Sequence, residues 1–80
     1  MNAKIKVKIF GAFPESFVNS AAAEGIELWR LERINEHSLC FDTFESCTEH
    51  LEQIGEKCSV EMEIKKYREN LMDIRLHIYQ

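Results

Sequence analysis

Eighty residues, 45% of them hydrophobic and 30% charged, describe one small folded domain over residues 1–80 rather than a disordered segment. Fourteen acidic against ten basic residues leave a net charge of −4 with histidine neutral, which provides no global attraction to DNA, RNA or an anionic bilayer. No apolar run approaches the roughly 18 residues of a membrane-spanning helix, and Lys4, Lys6 and Lys8 interrupt the start where a signal peptide would be apolar; a soluble, cytoplasmic chain is expected.

The first predicted element is a strand over Lys4–Phe10. Ile5, Val7 and Ile9 alternate with the three lysines, a period of two that buries one face and wets the other. Gly11 ends it. A helix follows from Pro14 to Glu24, with proline at the first helical position, Glu15 in the first turn and no good side-chain cap. Phe17, Val18, Ala21 and Ala22 form its inward stripe, and Gly25 is placed to close it in a left-handed conformation. A second strand is read over Ile26–Arg33. Ile26 and Leu28 point one way while Trp29 and Leu31 point the other, so either both faces are covered or a bulge shifts the register. A hairpin-like connection of three to five residues at Asn35, Glu36 and His37 leads to a third strand, Ser38–Phe41.

Asp42 with Glu45 three residues on matches a capping box, which predicts the start of a second helix. Phe44, Cys47, Leu51 and Ile54 continue it at helical spacing, and Gly55 is read as its terminator. The fourth strand is placed at Cys58–Lys66, where Cys58, Val60, Met62 and Ile64 alternate with Ser59, Glu61, Glu63 and Lys65. Tyr67–Met72 is read as a turn or one irregular helical turn, and Asp73–Tyr79 as a fifth strand, on a sheet edge or exchanged with a second subunit, with His77 on its wet side. The fold class is therefore α+β: a two-layer, ferredoxin-like β-α-β-β-α-β sandwich with an additional C-terminal strand. The first four strands are ordered four-one-three-two, both helices cover one face, and Lys6 and Lys8 lie near Glu61 and Glu63.

No constellation points to catalysis. Cys40, Cys47 and Cys58 lack metal-ligand spacing and are read as reduced thiols, the latter two as packing residues. A Cys40 nucleophile with His37 or His50 as base lacks a third group to orient it, and no cofactor or metal is expected. Phe10, beside Lys6 and Lys8, raises the possibility of base stacking on an open sheet face, but the third strand lacks a basic-aromatic run and the charge is negative. Trp29, Arg30 and Arg33 are the leading candidates for a protein contact; Phe10, Phe13 and Tyr79 follow.

The segments Gly11-Ala12-Phe13-Pro14-Glu15-Ser16-Phe17-Val18-Asn19 and Gly25-Ile26-Glu27-Leu28-Trp29-Arg30-Leu31-Glu32-Arg33 resemble the start of the YqfD-like sporulation proteins of endospore-forming Firmicutes. There a strand leads to glycine, a Phe/Leu-Pro-Glu-Arg-Phe helix start and a Gly-Ile-x-Ile/Leu-Trp-x-Val-x-Arg strand, and Cys58 falls where the family often has a Gly-Cys or Lys-Cys segment. The resemblance runs from about Lys4 to Ile64. Arg30 stands where the family commonly has Asn or Asp. The resemblance implies a longer, membrane-associated protein acting late in spore formation, with a transmembrane helix after this portion.

The sequence thus leads to a non-enzymatic protein-interaction or assembly domain, linked by resemblance to bacterial sporulation. Its partner is another protein or a second copy joined through a sheet edge. DNA is not expected as a partner, and a membrane only if the chain is a fragment of a longer family member. The alternatives are a small-molecule-sensing domain acting as a dimer and a single-stranded RNA-binding module.

Overall fold

A computed structural model describes the backbone of residues 3–68 and 71–79 and the side chains of residues 3–66. The elements in chain order are β1 (Lys4–Phe10), α1 (Pro14–Ala23), β2 (Trp29–Asn35), β3 (Ser38–Phe44), a 3-10 turn (Glu45–Cys47), α2 (Thr48–Cys58), β4 (Glu61–Arg68) and β5 (Leu71–Tyr79). The strands form one antiparallel sheet ordered β2-β3-β1-β4-β5. The architecture is α+β.

The alternation in β1 sets up the layers. Ile5, Val7 and Ile9 are fully buried and join Leu39, Phe41, Met62 and Ile64 of the neighbouring strands beneath Phe17, Ala21, Leu51 and Ile54 of the two helices. Phe17 and Phe41 stack across the layers at 6.0 Å between ring centroids. Both helices therefore cover the face carrying the odd-numbered residues of β1, leaving Lys4, Lys6 and Lys8 on the other. Helix α1 closes as expected. Gly25 takes φ +82°, its N–H bonds Ala22 O at 3.0 Å, and the Ile26 N–H reaches back to Ala21 O at 3.1 Å.

That closure explains the first departure from the sequence reading. Ile26 is held as the buried hydrophobic partner of the helix end, and the Glu27 carbonyl accepts a bond from Thr43 Oγ1 at 2.8 Å, so β2 starts at Trp29 instead of Ile26. Ala22, expected on the inward stripe, is exposed. The bulge anticipated in β2 is present: Trp29 pairs with Asp42 and Glu32 with Cys40, so β2 carries one extra residue between them, and Arg30 sits at φ 54°. The hairpin loop is tighter than expected, with only Glu36 and His37 between the paired Asn35 and Ser38.

Asp42 is not a helix cap. It lies inside β3, which continues to Phe44, and α2 begins at Thr48 after the 3-10 turn. The ladder outweighs the local signal: Lys4, Ile5 and Lys6 of the central strand pair with Phe44, Thr43 and Asp42, and an earlier end to β3 would leave the β3-facing backbone groups of that part of β1 without partners. Gly55 does not terminate α2 either. The helix runs on to Cys58 and is closed by Ser59 at φ 57°, with Val60 N–H bonded to Gly55 O at 3.0 Å. Cys58 is thus the last residue of α2, not the first of β4, and its thiol lies 3.7 Å from Ser20 Oγ.

In β4, Lys8 faces Glu63 as expected, but Lys6 faces Lys65 instead of a glutamate. Strands β4 and β5 take in residues 67–68 and 71–72, which the sequence reading assigned to a turn; residues 69–70 of that reading lie outside the described residues. Strand β5 forms one edge of the sheet within the chain, and its pairing sets His77 opposite the buried Ile64 rather than opposite a wet-face residue.

Candidate interaction site on the open sheet face

The uncovered face of the sheet is not uniform. At the end where β1 begins, Asp42 of β3 is buried, its side chain only 5% exposed, between strands that carry cations. Lys6 Nζ approaches Asp42 Oδ1 at 3.5 Å, and Arg30 NH1 approaches Oδ2 at 3.8 Å. The first contact is an ion pair without hydrogen-bond geometry, since Oδ1 has no hydrogen-bond partner. Lys65 lies directly opposite Lys6, and Lys4 is two residues along the same face of β1. Two cations thus flank one carboxylate, with Lys4 and Lys65 further along the same face. Trp29, half-buried, packs edge-on against Phe44 at 5.0 Å and forms the apolar margin of this corner.

Two features here cost free energy. Like charges directly opposite each other on paired strands are unfavourable by about 0.2–1 kcal/mol, and a non-glycine residue in the left-handed region costs about 1–2 kcal/mol. The bulge at Arg30 turns its side chain across the face toward Asp42 while leaving it 77% exposed. Local rules broken twice at one place are the usual mark of a working surface.

Of the sequence candidates, Trp29 and Arg30 meet at this corner. Arg33 does not. It lies on the helix side of β2, where NH1 donates to Asn35 O at 3.0 Å and Glu36 O at 3.3 Å and NH2 pairs with Glu15 of α1, so it ties the hairpin turn to the helix. Phe10 is at the far end of the open face with Lys8 Nζ 4.9 Å above its ring. Phe13 is 73% exposed in the β1–α1 connection. Tyr79 closes β5, and its side chain lies outside the described residues. Cys40 Sγ faces Glu32 Oε1 at 3.8 Å, while His50 pairs with Glu24, and the His37 N–H donates to Asn35 Oδ1 within the turn.

A family model described as "Putative stage IV sporulation protein YqfD" matches residues 1–74. The chain belongs to the YqfD family. No curated protein and no solved structure matches it. The YqfD match takes in β1 through β4 and the first part of β5, and so contains the whole corner built around Asp42. Among the described residues of this YqfD-family chain, no helix is long and apolar enough to cross a membrane, and no group of three His, Cys, Asp or Glu side chains is placed to hold a metal ion.

Sequence reasoning missed Asp42, Phe44 and Lys65 as members of the site. Asp42 and Phe44 were assigned to the second helix, which hid that they face Lys6 and Trp29. The available signal was the imperfect alternation of β2, for which a bulge was one of two readings.

Proposed function

We propose that this chain is a non-enzymatic interaction or assembly module of a sporulation-linked protein, a ferredoxin-like sandwich whose open sheet face makes the contact. The family description supports the link to sporulation. The observation that carries the interaction reading is the corner where Arg30, in a left-handed bulge, stands exposed beside the Trp29–Phe44 pair and over the buried Asp42. Tryptophan and arginine are the side chains most often found at the energetic centre of protein interfaces. Stacking on RNA bases has less support: Trp29 is packed against Phe44, and Phe10 lies under Lys8.

The test is complementation in a spore-forming host whose own family member has been deleted, using the full protein with Arg30→Glu. Arg30→Glu sets a second carboxylate beside the buried Asp42, so a lower thermal midpoint is expected; with the fold verified by circular dichroism and the cellular level matched to wild type, spore yield should fall by at least about tenfold, the loss expected when a central charged contact is reversed. Wild-type spore yield from that variant would remove the corner from the protein's function.

A further inference from the structure

The glutamates of α2 have a counterpart elsewhere on the same molecule. Glu45 in the 3-10 turn and Glu49 and Glu52 in α2 line an open groove of about 450 Å³, floored by Ile64 and edged by Thr48 and Lys66. Lys66 pairs with Glu45 at 2.6 Å, which leaves the groove with net negative charge. The corner around Asp42 carries the opposite sign. Both lie at the end of the sheet where β1 begins: Lys4 is paired with Phe44, Ile5 with Lys66, and the Glu45 N–H donates to Ala3 O at 2.7 Å. They are on opposite faces, the cations on the open side and the glutamates in the helix layer.

From this charge complementarity we infer that the occupant of the corner is a second copy of this chain, with Arg30 of one copy seated in the Glu45–Glu49–Glu52 groove of the other. The inference rests on the interaction reading above and names its partner. A guanidinium suits the groove because it bonds carboxylates through two parallel N–H donors and loses little hydration on docking. The bulge supplies the reach, since it carries Arg30 out of the ladder and leaves the side chain exposed at the sheet margin. Because corner and groove lie on opposite faces, the contact is head-to-tail, the open face of one copy against the helix layer of the next, so association can continue beyond a pair. Lys65 opposite Lys6 gains by the same docking, because the incoming glutamates relieve the repulsion between the two lysines.

The experiment is light scattering or sedimentation over a concentration series, at about 50 mM and about 0.5 M salt. One variant reverses the corner (Arg30→Glu with Lys65→Glu); a second reverses the groove (Glu49→Lys with Glu52→Lys). Circular dichroism and thermal melts establish that each is folded. Wild type should rise above monomer mass at low salt and return toward monomer at high salt. Each variant alone should need at least about tenfold more protein to associate, and an equimolar mixture of the two should recover wild-type association, because each then offers the charge the other lacks. A wild-type chain that stays monomeric to about 1 mM at low salt, or a mixture no better than its components, overturns the proposal. The two readings fail separately. If Arg30→Glu abolishes spore formation while the chain stays monomeric, the corner serves a different protein; if the charge swap restores association but spores form regardless of Arg30, the copies pair without that contact serving sporulation.

Discussion

Gly11 allows a worked test of how closely β1 and the end of α2 are fitted. An alanine Cβ at Gly11 would lie 2.8 Å from Val60 Cγ1 and 3.3 Å from the Ser59 carbonyl oxygen. Val60 is 5% exposed, and Ser59 O belongs to the backbone that closes α2, so neither neighbour moves away without disturbing the core. Overpacking of this kind costs about 1–3 kcal/mol, offset by about 0.4–1 kcal/mol from the stiffer unfolded chain. An approach below 3.0 Å to a fixed core atom puts the cost in the upper half of that range, so Gly11→Ala should destabilise the domain by about 1–2.5 kcal/mol, a fall in Tm of about 4–20 °C for a chain of this size. Urea and thermal unfolding read it directly. Val60→Ala removes the closest atom, so in a double-mutant cycle the two substitutions together should cost less than their sum by at least about 0.5 kcal/mol. Gly55→Ala supplies the opposite sign. Its Cβ would meet Phe17 Cε2 and Val60 Cγ2 at 3.7 Å, ordinary contact inside a helix, and should stabilise by about 0.5–1 kcal/mol. A neutral Gly11→Ala, or strict additivity with Val60→Ala, would refute the reasoning.

Ser59→Gly should raise stability by about 0.5–1 kcal/mol in the same unfolding assay, since Ser59 closes α2 at φ 57° where glycine is unstrained. Asp42→Asn removes the anion between Lys6 and Arg30 and should cost about 1–3 kcal/mol; unfolding in about 1 M salt, which screens the remaining cations from one another, should recover part of that loss. Arg30→Asn should separate stability from contact. Asparagine tolerates the left-handed region, and that gain offsets the loss of the exposed pair with Asp42, so urea unfolding should change by less than about 1 kcal/mol while sedimentation shows weaker self-association.

The candidate site was only half legible in the chain. Trp29 and Arg30 stood out by residue type, but which side chains face them depends on pairing between strands. Asp42 illustrates the difficulty: with Glu45 it forms a sound capping pattern, and within β3 it forms the anionic centre of a cationic corner. Both readings satisfy local chemistry. Lys65 became part of the site only through the register that sets it opposite Lys6.

The sequence by itself determined what short-range periodicity and turn chemistry encode. The buried face of β1, the start of α1 after Phe13, its left-handed closure at Gly25 and the buried Leu51 and Ile54 of α2 all follow from residues within a few positions of one another. Tertiary structure decided how far β3 extends, where α2 ends and which residue occupies the bulge. Backbone groups of the central strand need partners along its whole length, and that demand, set by a strand more than thirty residues away in the chain, outweighs about 1 kcal/mol of helix capping at Asp42.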